Sequence, residues 1–349
     1  MKKISILIIL LMQSILCIYA QDTSIKGTIT LSHQGKTTDF AYNKMADAVN
    51  AAIDGDTIFL SAGYFEGDFV INKQVAFIGT GGDYSTSENS VLNGKIILKL
   101  PDNTKLTARL FEGINFWNTS FTYQSTNIEN IVFKKCYVYG YNITVNAAIK
   151  SILFDRCNIS GGSYFNNFPE KAIARNCKIH GLNVEKSNSD SSWQFTNCTI
   201  DPSNYSNSGY TGYFCPILSG TFVNCIIDND DDDYTGFPLY YVTSEDTKSK
   251  ASFTNCLFYT TDNKEIFNGA TVENAMYYEA SANNVLENFT KEQLEAYSFY
   301  GNDGTVVGCY GGKNPYTLKI SKPVISSSKV HFDKDKKQVQ IKMKVSTVE

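Results

Sequence analysis

The chain has 349 residues, of which 42% are hydrophobic and 19% charged, with a formal net charge of −4. That is enough apolar material for a core, in two ordinary domains or one elongated body. The acidic balance excludes a nucleic-acid interface, which needs a basic face, and three arginines (Arg109, Arg156, Arg175) leave little for bidentate anion clamps.

Residues 1–20 read as a secretory signal, with Lys2 and Lys3 ahead of an apolar run from Ile4 to Ile18 and the small Ala20 before Gln21. The run falls short of the roughly 20 residues that a membrane span needs. No later segment reads as a span either. The expectation is export, to the periplasm, the cell surface or the medium. Farther on, Met45, Ala48, Val49, Ala52 and Ile53 recur at i, i+3, i+4, i+7 and i+8, one face of a short helix. Asn43 is its candidate cap and Asp54-Gly55 its candidate end. Such a helix would lie over the open end of a solenoid and hide its unpaired edges.

A repeat then takes over. It runs Phe133-Lys-Lys-Cys136-Tyr-Val138, Phe154-Asp-Arg-Cys157-Asn-Ile159, Ala174-Arg-Asn-Cys177-Lys-Ile179 and Phe195-Thr-Asn-Cys198-Thr-Ile200. Phe222-Val-Asn-Cys225-Ile-Ile227 and Phe253-Thr-Asn-Cys256-Leu-Phe258 follow. Phe111-Glu-Gly-Ile114-Asn-Phe116 and Val272-Glu-Asn-Ala275-Met-Tyr277 are degenerate copies at the two ends. The fourth position steps by 22, 21, 20, 21, 27, 31 and 19 residues.

Positions four and six share a strand face, being two apart. Positions one and four, three apart, cannot share a face without a bend of one residue between two short strands. Asn precedes the fourth position in five of the eight copies, and Asn tolerates the left-handed backbone such a bend requires. Two short inward-facing strands recurring every twenty-odd residues make one coil of a parallel β-helix. The fold class is therefore all-β.

The opening of this region, Ala51-Ala52-Ile53-Asp54-Gly55-Asp56-Thr57-Ile58, then Gly63-Tyr64-Phe65 and Val75-Ala76-Phe77-Ile78-Gly79, resembles that of the pectin-lyase-like right-handed parallel β-helix superfamily. The resemblance covers residues 40 to 312. It implies a right-handed solenoid with an N-terminal capping helix over 21–312, and it leaves the activity open. Beyond Gly312, Val330 and Phe332, then Val339, Ile341, Met343 and Val345, alternate with polar residues around Asp333-Lys-Asp-Lys336. This reads as a short C-terminal β-hairpin appendix within 313–349.

The remaining features bear on chemistry. Without Cys17 eight cysteines remain, an even number that could form disulfides. Yet Cys136, Cys157, Cys177 and Cys198 hold equivalent positions in successive coils, about 4.8 Å apart and parallel, where disulfide Cβ atoms want about 3.8 Å. A ladder of buried thiols is expected, and a straight ladder presents no tetrahedron for zinc.

Two adjacent coils carry long insertions at one corner, 201–214 and 228–237. Side by side they form a wall carrying Tyr205, Tyr210, Tyr213, Phe214 and Tyr234, with Tyr240 and Tyr241 on the strand after it. Tyrosines stack on sugar rings and hydrogen-bond to their hydroxyls; the plainer alternative is that they pack the loops onto the solenoid. Tyr210, Tyr213, Tyr234, Tyr240, Tyr241 and Asp228 are the candidate ligand-binding residues. The acidic run Asp230, Asp231, Asp232 and Asp233 has the oxygens for Ca²⁺, or for a hydrolytic acid/base pair, against the plainer reading of a solvated loop. No other cofactor is expected.

The superfamily's catalytic motifs do not carry over. Ile179-His180-Gly181 only approaches the Gly-His-Gly of polygalacturonase-like chains, Arg-Ile-Lys is missing, and Arg156 and Arg175 fall at or beside the bend. With histidines only at 33, 180 and 331, a Ser/His/Asp triad has little to draw on. The sequence thus points to a non-catalytic exported β-helix binding a polysaccharide or cell-surface glycan. A polysaccharide lyase or glycoside hydrolase with an atypical acidic site, and a structural, adhesin-like surface protein, are the alternatives.

Overall fold

The structure is a computed structural model that describes residues 25–82, 88–107, 110–139, 149–160, 171–180, 192–201, 220–227, 251–259, 270–278, 289–320, 323–333 and 338–347. The first part comprises β1 (Thr28–His33), β2 (Lys36–Ala41), α1 (Met45–Ala51), β3 (Thr57–Leu60), β4 (Gly63–Glu66), β5 (Phe69–Ile71) and β6 (Ala76–Ile78). The coil after it is wide, with β7 (Ser90–Leu98), β8 (Phe111–Glu112) and β9 (Ile114–Tyr123).

Short strand pairs follow, one pair per coil. They are β10 (Ile131–Lys134) with β11 (Tyr137–Tyr139), β12 (Ser151–Asp155) with β13 (Asn158–Ser160), and β14 (Lys171–Arg175) with β15 (Lys178–His180). Next come β16 (Ser192–Thr196) with β17 (Thr199–Asp201), and β18 (Thr221–Val223) with β19 (Ile226–Ile227). The last two are β20 (Ser252–Thr254) with β21 (Leu257–Tyr259), and β22 (Thr271–Glu273) with β23 (Met276–Tyr278).

One strand of each pair enters a 12-stranded sheet ordered β2-β1-β3-β6-β8-β10-β12-β14-β16-β18-β20-β22. The other enters an 11-stranded sheet running from β23 back through β9 and β7 to β4. From β3 onward the neighbours in both sheets are parallel. The result is an all-β, solenoid-like stack with long parallel sheets. The bend between the two strands of a coil is one residue: Gly113, Lys135, Arg156, Asn176, Asn197, Asn224, Asn255 and Asn274 all have φ between 50° and 65°.

The register aligns the repeat without a slip. Phe111, Phe133, Phe154, Ala174, Phe195, Phe222, Phe253 and Val272 pair in succession across the 12-stranded sheet. Inside, Phe195 and Phe222 stack with centroids 4.6 Å apart, and Phe222 and Phe253 at 4.7 Å. Each buried ring contributes about 2–3 kcal/mol of transfer free energy. Behind the bends, Cys136, Cys157, Cys177, Cys198, Cys225 and Cys256 are all fully buried and all free thiols. Their Sγ–H groups donate to carbonyls of their own coil and the coil before, as Cys157 does to Asp155 O and Phe133 O.

The N-terminal end departs from expectation in two respects. Helix α1 buries Met45, Ala48 and Val49, but its N-cap is Lys44, which makes no side-chain cap bond, and Ile53 is 52% exposed. The helix stops at Ala51, before Asp54-Gly55, because the Lys73 ammonium donates to Val49 O, Asn50 O and Ala52 O and satisfies its last carbonyls. Further, the edge of the 12-stranded sheet is occupied by the antiparallel hairpin β1–β2, and α1 packs on β1, β2 and β5.

Two elements follow the solenoid. Helix α2 (Lys291–Ala296) opens with a reciprocal cap between Thr290 and Gln293. Strands β24 (Pro323–Asp333) and β25 (Gln338–Thr347) pair antiparallel as a separate two-stranded sheet.

Candidate functional site

Each coil of the solenoid presents two outer sheet faces, and they differ. The outer face of the 11-stranded sheet is covered along part of its length by the chain's own C-terminal segment. After α2, residues 299–320 run back along the solenoid as a strap that crosses the coils in reverse order. Asn302 exchanges hydrogen bonds with the Asn224 side chain, and Gly308 N donates to Asn224 O at 2.8 Å. Cys309 N donates to Thr199 Oγ1, while Asn176 Nδ2 donates to Cys309 O and, at 2.6 Å, to Gly311 O.

Farther along, Lys178 Nζ sits over the rings of Tyr310 and Tyr316, Lys135 Nζ donates to Lys319 O, and Gly82 N donates to Leu318 O. Gly311 has to be glycine: a Cβ there would stand 1.8 Å from Val306 O and 2.6 Å from Asn197 Nδ2. Between strap and sheet lies a second small core of Ile226, Leu257, Phe289, Leu294, Val306 and Val307.

Among the described residues, nothing covers the outer face of the 12-stranded sheet over β10, β12 and β14. Val132, Leu153 and Ile173 are register partners on it and form the floor of a groove of about 420 Å³. Asn130, Ser151 and Lys171 line one rim, and Leu106 and Thr107 rise at one end. The next outward column is charged. Lys134 is tied to Glu112 at 2.8 Å and Asp155 to Arg156 at 2.9 Å, so the two acids on this part of the face are each held by a base. Lys171 and Arg175, at the two ends of β14, are exposed and have no carboxylate partner among the described residues. Four residues of strand place their Cα atoms about 13 Å apart. The groove therefore offers an aliphatic floor, hydroxyl and amide groups and the Lys171 ammonium on its rim, with Arg175 beyond it on the same strand.

All the candidate ligand-binding residues taken from the sequence, Asp228, Tyr210, Tyr213, Tyr234, Tyr240 and Tyr241, lie outside the described residues, as does the acidic run Asp230, Asp231, Asp232 and Asp233. Their flanking strands are described. The chain leaves the 11-stranded sheet after Asp201 and after Ile227, and re-enters the 12-stranded sheet at Thr221 and Ser252. Asn130, Ser151 and Lys171 stand at that same sheet-entry corner, at or just before the first residues of β10, β12 and β14. The groove and Lys171 had escaped the sequence analysis, because an outward residue on a two-residue period carries no mark of whether the face above it is covered.

Elsewhere the titratable groups are structural. Burial alone would raise the Asp56 carboxyl, but the Ile53 amide, His33 and Lys73 outweigh it and hold the group below the usual carboxylate range. Burial pushes the thiols of Cys157, Cys177, Cys198 and Cys225 well above the ordinary thiol range and Cys309 up to about 11. Thiolate chemistry at neutral pH has no support from such groups. An internal void of about 10 Å³ beside Phe121 and Tyr123 has room for no more than a single water. Among the described residues no cluster of three or more His, Cys, Asp or Glu is placed to hold a metal ion, and no helix is long and apolar enough to cross a membrane.

Compared with known proteins, the chain matches no family model, no curated protein and no solved structure.

Proposed function

We propose that the chain is an exported right-handed β-helix of the pectin-lyase-like kind that binds a carbohydrate or another extended ligand without cleaving it. The ligand would lie across the outer face of the 12-stranded sheet. The observation that carries this reading is the contrast between the faces: residues 299–320 lie over part of one, while the other holds a groove of about 420 Å³ with Lys171 on its rim, and neither Lys171 nor Arg175 has a carboxylate partner among the described residues. The two described carboxylates nearest the groove's charged column, Glu112 and Asp155, are each bound to a cation, which favours binding over acid/base catalysis there. In this reading the insertions 201–214 and 228–237 wall the same corner, Tyr213, Tyr234 and Tyr240 stack on sugar rings, and Asp230 to Asp233 are a calcium site or a solvated loop.

A glycan array of neutral and acidic polysaccharides, probed with the full chain, tests the reading. Replacing Lys171 and Arg175 together with Ala should weaken the retained glycan roughly ten- to hundredfold, the range for losing charge-assisted hydrogen bonds. Replacing Tyr213, Tyr234 and Tyr240 with Ala should do the same at the wall. Reducing-end and unsaturated-uronate assays on the same glycans should stay blank. Turnover that disappears when Asp230 to Asp233 become Asn would replace this reading with a lyase or hydrolase. An array with no retained glycan would leave the structural, adhesin-like role.

A further inference from the structure

The two ends of the solenoid are finished differently. In the coils from β10 to β21 the inward positions of the repeat are sealed. Every cysteine of the column is 0% exposed, and Val138, Ile159, Ile179, Ile200, Ile227 and Phe258 are at most 2% exposed. In the last described coil the same positions of the repeat are Val272, Ala275 and Tyr277. The register lays Val272 on Phe253 and Tyr277 on Phe258, so the coil continues the inward columns. Yet Val272 and Ala275 are only half-buried, and Tyr277, whose ring stacks on Phe258 at 6.1 Å, is 43% exposed. Among the described residues no further coil lies beyond them.

At the opposite end the edge of the 12-stranded sheet is closed by the β1–β2 hairpin, whose outermost strand exposes Lys36 to Asp39, and α1 packs on β1, β2 and β5. At this end the edge strands are β22 and β23. Strand β22, Thr271-Val272-Glu273, is as long as β18 and β20 and carries no lysine, proline or bulge. An edge without those devices presents its backbone donors and acceptors to any strand that reaches it. Because the two ends are unlike, head-to-tail stacking into an open filament finds no matching surface.

We propose that this end of the solenoid is a self-association surface whose occupant is a second copy of the chain, docked tail to tail with β22 against β22. The strand is complementary to itself in that arrangement. A two-fold axis at Val272 pairs the two copies antiparallel, with Val272 opposite Val272 and Thr271 of each copy opposite Glu273 of the other. The threonine hydroxyl then donates to the carboxylate, and no like charges meet. The half-buried Val272 is covered by its own counterpart, and the column of inward apolar positions runs on from one copy into the next. A surface that pairs with itself is used up by one pairing, so association closes at two. The groove over β10, β12 and β14 is separated from this end by β16, β18 and β20, so the inference stands apart from the proposed function.

Sedimentation equilibrium of the full chain tests it, and the wild type should pass from monomer to dimer with rising concentration and form nothing larger. Val272→Lys sets two ammonium groups against each other at the centre of the pairing and should weaken association at least about a hundredfold. Circular dichroism of that variant should match the wild type, because position 272 borders solvent in the single copy. Val272→Cys reads the geometry directly. Antiparallel partners place their Cα atoms about 4.5–5.5 Å apart, within disulfide reach, so mild oxidation should link two copies through position 272. Thr38→Cys, on the outermost strand of the other end, should stay unlinked under the same oxidation. A monomer at all concentrations up to about 1 mM, assemblies larger than two, a Val272→Lys dimer as tight as the wild type, or linkage at position 38 as ready as at 272 would each overturn the proposal.

Discussion

Eight residues turn the chain from one sheet to the other, and every one of them holds a left-handed backbone that a β-branched side chain tolerates poorly. Five are Asn, whose short amide accepts this conformation, while Gly113, Lys135 and Arg156 hold the same bend in the earlier coils. The asparagines differ in what their side chains then reach. Asn224 exchanges two hydrogen bonds with Asn302, whereas Asn255 has no counterpart to these among the described residues. Asn255→Val should therefore cost only the backbone strain, about 1–2 kcal/mol. Asn224→Val should cost that plus about 1–3 kcal/mol for the lost hydrogen bonds and the polar groups left unpaired on Asn302. Asn224→Gly should isolate the second contribution, since glycine keeps the bend. Urea unfolding checks all three, and equal losses at 224 and 255 would mean that the strap bonds are worth nothing. The bend itself was legible in the sequence, because it is local and repeats. The partner of Asn224 was not, since Asn302 lies 78 residues away and no period connects them.

At the scale of elements, the strap and α2 work as a second layer with a core of their own. That core rests on Leu294, fully buried on a short helix capped by Thr290 and Gln293. The cap was readable in Thr290-Lys-Glu-Gln293, which fits the capping-box pattern, but the pattern does not say what the helix packs on. Leu294→Ala should cost about 2–5 kcal/mol, and the cost should fall on the strap first. Hydrogen exchange is the measurement. The amides of Gly308 and Gly311, which bond Asn224 O and Gly308 O, should exchange at least tenfold faster, while those of Asn158 and Lys178, which bond Cys136 O and Cys157 O inside the solenoid, should hold. Uniform acceleration across both sets would show that strap and solenoid unfold as one unit.

The thiol column spans most of the molecule, and it links stability to pH on the alkaline side. Burial raises the thiols of Cys157, Cys177, Cys198 and Cys225 well above their ordinary range and Cys309 to about 11. The folded chain therefore keeps protons that the unfolded chain releases near pH 8.5, the approximate value for a free thiol. The stabilisation is full below that pH and is lost as pH rises toward the folded values, at up to about 1.4 kcal/mol per thiol per pH unit. The urea midpoint should stay flat from about pH 6 to 8 and fall from about 9 upward. In a Cys198→Ala, Cys225→Ala variant the fall should be shallower, although its baseline is lower. An equal slope in both proteins would assign the alkaline loss to other groups. A thiol reagent at pH 8 should leave the column unmodified until denaturant is added.

By itself the sequence determined the coil: the six-residue unit, its one-residue bend, the aligned Phe and Cys columns, and the antiparallel pairing at the C-terminus. All of these follow from side-chain periods and backbone preferences that act over a few residues and then repeat. Only the tertiary structure decided which outer face the strap covers. That depends on residues 299–320 turning back over coils formed more than a hundred residues earlier, through contacts such as Asn176 with Gly311. It also decided that the edge of the 12-stranded sheet belongs to the β1–β2 hairpin, and that α1 ends where Lys73 meets its carbonyls. Contacts of this kind are made once, between segments distant in sequence, and a pairing that occurs once leaves no period in the chain to read.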